Sequence, residues 1–293
     1  MKTKKILIIA GFFLSSCSIN IKKYSDDFLI RQALEHIKFS GHNYLLNYLS
    51  KYPATIAFNP DASVGCVKVN TSKRQILIPI KSMDSKIAIE TQIIKGLYIY
   101  KILVKYDLED FSYEIEQLAS YIETDYLLLN YQPDEILNDP ILKTTFISGL
   151  CRYILSYQTF EKYILDKTAE NNHSCGYPLQ TLEYIKNYYA NIKKSLSDVD
   201  SDSFYKLMYE YEMEQVKKGK KTRQEAERSY YYLLSEPILE LYRTQRKDLY
   251  YKISSVLKFE KFYKSELKKF REKSEQRKLL LTKLFPLCTD FKP

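Results

Sequence analysis

Apolar residues recur along most of this chain at the three-to-four spacing of a helix. The alternation of a strand is confined to one segment near residues 54–80. "SDDFLIRQALEHIKFSGHNYLLNYLSKYP" (25–53) predicts a helix from a Ser25 or Asp26 cap, with Phe28, Leu29, Ala33 and Ile37 on one stripe. Ser40 to His42 breaks it, and "YLLNYLSKY" adds a short second helix. In "CVKVNTSKRQILIPI", Val67 and Val69 alternate, Asn70 to Lys73 turns, and Ile76, Ile78 and Ile80 alternate again. With "ATIAF" before it, this predicts a hairpin and about three strands, the turn type being open without Asn-Gly.

From Ser85 onward the pattern is helical. "SKIAIETQIIKGLYIYKILVKY" is apolar on more than half its circumference, the mark of a helix buried on most sides. Gly96 in its middle costs about 1 kcal/mol relative to Ala, which points to the close approach of another backbone. "LEDFSYEIEQLASYIETDYLLLNY" predicts a second helix capped by Asp110 or Ser112 and ended near Pro133. "DPILKTTFISGLCRYILSYQTFEKYILDKT" predicts a third, interrupted at Gly149, and "LQTLEYIKNYYANIKKSL" a fourth. The polar stretch "SDVDSDS" (197–203) reads as a boundary. Two long helices follow, near 203–234 and from Pro237 to about Phe285. The expected fold is therefore mostly α, of the α+β class: a multi-helix body with a small antiparallel β element and long C-terminal helices. Residues 27–196 form a helical domain with the hairpin, and 203–293 a long-helix subdomain.

The first residues carry a different signal. Lys2, Lys4 and Lys5 precede the apolar run Ile6 to Leu14, which is too short to span a bilayer as a mature anchor. The run ends in Leu14-Ser15-Ser16-Cys17, which resembles the lipobox of bacterial lipoproteins. The resemblance implies a signal peptide over 1–16, acylation of Cys17 and a tether over 17–26. It also implies a lipid anchor in a bacterial cell envelope, at the outer membrane of a diderm host because Ser18 rather than Asp follows the cysteine. Several acyl chains on one residue make such anchoring stable, where one chain binds only marginally.

Composition narrows the partners. The formal net charge of +9 includes the three leader lysines, leaving +6 on the 277 residues from Cys17 onward. Seven glycines and nine prolines are few for this length and favour helices over a loop-rich β protein. Interleaved Lys and Tyr on an envelope-anchored chain read as a solvated basic face, and nucleic acid is not an expected partner. "KFEKFYKSELKKFREKSEQRK" (258–278) is basic; besides a solvated face it offers a contact for anionic lipid or cell-wall polymer. Cys66, Cys151, Cys175 and Cys288 show no CxxC spacing. An exported compartment permits disulfides among them, with the pairing open. "HSC" (His173 to Cys175) is read as part of a polar loop. His36, His42 and His173 are the three histidines of the chain and lie in distant segments, so no metal or cofactor is expected.

Residues 55–130 also resemble, in degenerate form, the core of zincin-type (HExxH) metallopeptidases: strand, hairpin or edge strand, apolar helix, connector, then a second helix with an acidic "ExxA". The zincin helix reads approximately L-A-H-E-L-x-H-A. On this chain Ile93 and Ile94 take the leading apolar pair and Leu97 the central apolar position. Lys95 stands at the first histidine, Gly96 at the glutamate base and Ile99 at the second histidine. Glu116, with Ala119, takes the place of the family's third ligand, Glu114 being the alternative. Zinc needs two histidines one turn apart and a glutamate to take the water's proton. Lys95, Gly96 and Ile99 supply none of these.

No GxSxG, Walker loop or GxGxxG occurs. Asp107, Glu109 and Asp110 sit at a helix start, where carboxylates suit the dipole. The expected function is binding or scaffolding by a non-catalytic envelope lipoprotein, with an unidentified envelope protein or polymer as partner. The alternatives are an inactive metallopeptidase relative and a polymer- or lipid-contacting module using the basic C-terminal helix.

Overall fold

The computed structural model describes residues 20–63, 65–108, 112–143, 150–151, 160–175, 180–198, 201–233, 236–273 and 288. The leader and Cys17 lie outside these residues. The chain divides into two units, Met1–Leu179 with Phe262–Pro293, and Gln180–Lys261. The division thus falls at 180 and 262 rather than at the polar stretch 197–203.

In the first unit, α1 (Phe28–Lys38) begins one residue later than the expected cap. Asp27 accepts hydrogen bonds from the backbone N–H of Leu29 and Ile30, satisfying donors left free by the first turn. A short α2 (Asn43–Lys51) follows. The β element is a three-stranded sheet of β1 (Thr55–Asn59), β2 (Lys68–Asn70) and β3 (Gln75–Pro79) in the order β1-β3-β2. β2 and β3 form the expected antiparallel hairpin, with Val69 opposite Ile76. β1, however, joins β3 in parallel, Ile56 beside Ile76, so the sheet is mixed rather than antiparallel throughout. Between the parallel neighbours β1 and β3 lie residues 60–74, which include β2, and parallel strands need a connection of about this length.

Two central helices follow. In α3 (Lys86–Tyr106), capped by Ser85, every residue from Ala88 to Tyr100 is buried. In α4 (Tyr113–Asn130), capped by Ser112, the same holds from Ile115 to Leu128. α3 touches α1, α2, α4, β2 and β3, which explains an apolar circumference wider than one stripe. Gly96 permits the approach of the sheet. A Cβ placed there would stand 2.5 Å from Ile76 Cγ2 and 2.9 Å from Val67 Cγ1.

Short helices α5 (Pro133–Asn138) and α6 (Pro140–Leu142) lead on, and Asp139 caps the second while accepting from the Ser85 hydroxyl at 2.5 Å. The segment read as a polar loop around His173 is instead the end of α7 (Phe160–Cys175). α8 (Leu182–Asp198) opens the second unit. The expected helix over 203–234 is two, α9 (Ser201–Lys217) and α10 (Arg223–Leu233). Gly219 turns the chain between them at φ +67°, a conformation natural to glycine. The Thr222 hydroxyl then accepts from Glu225 N–H while the Glu225 carboxylate accepts from Thr222 N–H, a reciprocal cap that restarts the helix. The last helix, α11, runs Glu236–Glu272, its expected extension to Phe285 lying outside the described residues. Its final turns belong to the first unit, where Phe270 stacks on Tyr121 of α4 at 4.5 Å between ring centroids.

Gly96→Ala is expected to destabilise the chain by about 1–3 kcal/mol despite the better helix propensity of alanine, because the branched side chains it meets are themselves buried. An unchanged urea midpoint at constant slope would show that β2 and β3 can retreat.

Candidate functional site

The strongest concentration of polar chemistry lies inside the helical core, between α3, α4 and α7. Lys95 and Glu116 are both buried, exposed by only 1% and 4%. The Lys95 ammonium donates to Glu116 Oε1 and to the carbonyl of Gly65 at 2.7 Å. The same carboxylate oxygen accepts from Asn171 Nδ2 at 2.9 Å. One turn before Lys95, Gln92 accepts from the Gly65 N–H at 3.1 Å and donates to Glu123 at 2.8 Å. Glu123 also pairs with Lys167 at 3.0 Å. The arrangement follows from helical spacing: Gln92 and Lys95 share a face of α3, Glu116 and Glu123 a face of α4, and Lys167, Asn171 and Cys175 a face of α7.

Gly65 sits at φ +92° directly over the pair, and a Cβ there would meet Asn171 Oδ1 at 2.9 Å. The next residue, Cys66, is disulfide-bonded to Cys175, so the segment that caps Lys95 is covalently tied to the helix that caps Glu116. The second bridge joins Cys151 to Cys288. These two bonds resolve a pairing that the spacings left open.

The positions matched to the metallopeptidase pattern are brought together only in part. Lys95 and Glu116 converge. Ile99, one turn further on, lies instead in an apolar groove of about 350 Å³ with Val67, Val69, Leu77 and Leu103. Gly96 faces Ile76 of β3 and Val67, the residue before β2. Glu114, the alternative acid, is not part of the cluster's hydrogen-bond network described above. Two lysines and two carboxylates balance in charge, and the ammonium of Lys95 stands where a cation coordinated by Glu116 would have to sit. Among the described residues no three His, Cys, Asp or Glu side chains form a metal-binding group.

Burial pushes the Glu116 carboxyl above its ordinary value of 4.5, while Lys95 and Asn171 pull it back. Gln92, Glu123, Lys167 and Asn171 were not singled out by sequence reasoning. The i, i+4, i+8 spacing of Lys167, Asn171 and Cys175 was a usable signal once the segment was taken as helix.

A second polar cluster surrounds Glu90, which is fully buried on α3. Its Oε2 accepts from Tyr126 at 2.7 Å and from Tyr131, and it pairs with His36 Nδ1 at 2.7 Å. His36 is thus a partner of a buried carboxylate. Burial and the adjacent carboxylate hold both tyrosines well above their ordinary range. His42 is buried, which lowers its basicity, and His173 is exposed near the end of α7. The three histidines remain apart in their partners.

The fold these elements define is a mostly α protein of the α+β class with a small mixed sheet. In comparisons with known proteins, no family model matches the chain, and no curated protein or solved structure matches it.

Lys95→Met leaves the Glu116 carboxyl buried without its cation and is expected to destabilise by about 3–5 kcal/mol near pH 8. Because the folded carboxyl titrates above its unfolded value, its contribution is fully present below about 4.5 and is lost as pH rises through the folded value. Removing Lys95 raises that folded value further. The deficit relative to the parent should therefore shrink on acidification toward pH 4.5, and Lys95→Met/Glu116→Leu should recover most of it. Urea midpoints across pH 4.5–8 measure both effects. A deficit independent of pH would rule out an ionised Glu116.

Proposed function

We propose that the chain is a lipid-anchored component of a bacterial cell envelope whose folded body binds or scaffolds and does not catalyse. On this reading its centre is a metallopeptidase-type core in which a lysine has taken the place of the metal. The observation that carries the second part is the buried Lys95 ammonium on Glu116. The two side chains meet, and the resemblance, on which this reading rests, would make them a first and a third ligand. A fixed ammonium neutralises the carboxylate that a divalent ion would otherwise hold, and Gly65 O and Asn171 complete its surroundings. Gly96 and Ile99 supply neither a base nor a ligand, so a water molecule would find no activation there.

The first part rests on Leu14-Ser15-Ser16-Cys17 after a basic and apolar leader. Two disulfides are bonds that an oxidising, exported compartment permits. The membrane is then met through lipid on Cys17, and the partner of the body is an envelope protein or polymer.

Two measurements test the reading. Cys17→Ala should abolish incorporation of labelled palmitate and leave the chain at precursor mass; undiminished labelling would overturn the anchor. Metal analysis of the purified chain should find far less than one zinc per molecule, and stoichiometric zinc lost on Glu116→Ala would overturn the metal-free core.

A further inference from the structure

The cluster around Glu90 gathers its donors in a way that hydrogen bonding alone does not account for. Glu90 is fully buried on α3, and three groups crowd one of its two oxygens. His36 Nδ1 and the Tyr126 hydroxyl each lie 2.7 Å from Oε2, and the Tyr131 hydroxyl donates to the same atom. One carboxylate oxygen offers about two lone-pair sites, so three donors exceed them. Oε1 of the same buried group has no hydrogen-bond partner among the described residues, the largely exposed Lys86 ammonium standing 3.9 Å away.

The four groups are spaced as neighbouring ligands of one ion. Ligands about 2.0–2.1 Å from a metal stand about 2.8–3.0 Å apart at adjacent corners of an octahedron. Here two of the contacts to Oε2 are 2.7 Å, and the Tyr131 hydroxyl lies 3.4 Å from His36 Nδ1. The groups come from separate stretches of chain. His36 stands in the last turn of α1, Glu90 on α3, Tyr126 on α4 and Tyr131 just past α4, where the backbone turns extended at φ −129°. Glu90 and Tyr126 are enclosed, whereas His36 and Tyr131 are half-exposed and leave an ion a way in.

The donor set selects the ion. A carboxylate and two phenolates are hard oxygen donors, and imidazole suits iron. Together they carry three negative charges, which a trivalent cation cancels in a site where net charge is costly. Burial and the carboxylate favour protonated phenols in the chain alone, and a bound cation reverses that local logic.

We propose that His36, Glu90, Tyr126 and Tyr131 form a binding site for ferric ion. On binding, three iron–oxygen bonds and one iron–nitrogen bond form through Oε2, the two phenol oxygens and Nδ1. The two phenolic protons pass to solvent, the imidazole proton moves to Nε2, and no electron is transferred. The site depends neither on the Lys95–Glu116 pair nor on the lipid anchor.

Titration of the full chain with ferric nitrilotriacetate, followed by visible absorption and thermal midpoint, tests the assignment. A phenolate-to-iron charge-transfer band saturating at about one iron per chain is expected, with a raised midpoint because the ion binds the folded chain. Tyr131→Phe and, independently, His36→Gln alter half-exposed positions, and circular dichroism checks that each variant folds. Each should weaken iron binding about tenfold or more, and Tyr131→Phe should also diminish the band. The proposal is overturned if the parent develops no band, if both variants bind iron like the parent, or if zinc chloride raises the parent's midpoint as much as iron does.

Discussion

An ammonium and a carboxylate taken out of water must each be matched, or the helices that carry them cannot be buried on all sides. That constraint organises the first unit. Because α3 and α4 are enclosed along nearly their whole lengths, the charges of Lys95 and Glu116 have no route to solvent. Their remaining hydrogen-bonding capacity has to be met from within the fold. Gly65 and Asn171 do this from two further segments, and the bridge between Cys66 and Cys175 keeps both segments in place. The pair is therefore less a source of net stability than a requirement that selects one arrangement of the loop, α3, α4 and α7 over others of similar apolar burial.

The same accounting extends along the helices. Glu123 is met by Gln92 and Lys167, and Glu90 by two tyrosines and a histidine. Each buried acid draws in a distant part of the chain, from α1 to α7. The core is thus specified by polar partners as much as by packing, with Tyr126 and Tyr131 acting as donors to a buried acid.

Much of the architecture was legible from periodicity. The all-round apolar character of α3 foretold its central place, and Gly96 marked a close approach, made by the Ile76 and Val67 side chains rather than by the backbone expected. Other features were not legible because they depend on contacts distant in sequence. The parallel pairing of β1 with β3 leaves no trace in alternation, which is the same for either direction. The end of α7 was mistaken for a loop because "ENNHSC" is polar, and its helical state rests on tertiary partners for Lys167, Asn171 and Cys175 rather than on propensity. Conversely, "KGKK" within an otherwise periodic run conceals a full break, made by one glycine and a reciprocal cap.

The two disulfides overlap in sequence rather than nest: Cys66 pairs past Cys151 to Cys175, and Cys151 pairs past Cys175 to Cys288. A cut in the backbone anywhere between Cys66 and Cys288 therefore still leaves its two sides joined, by one bridge in the outer intervals and by both in the middle one. Interleaving thus makes covalent integrity independent of any single peptide bond across that span.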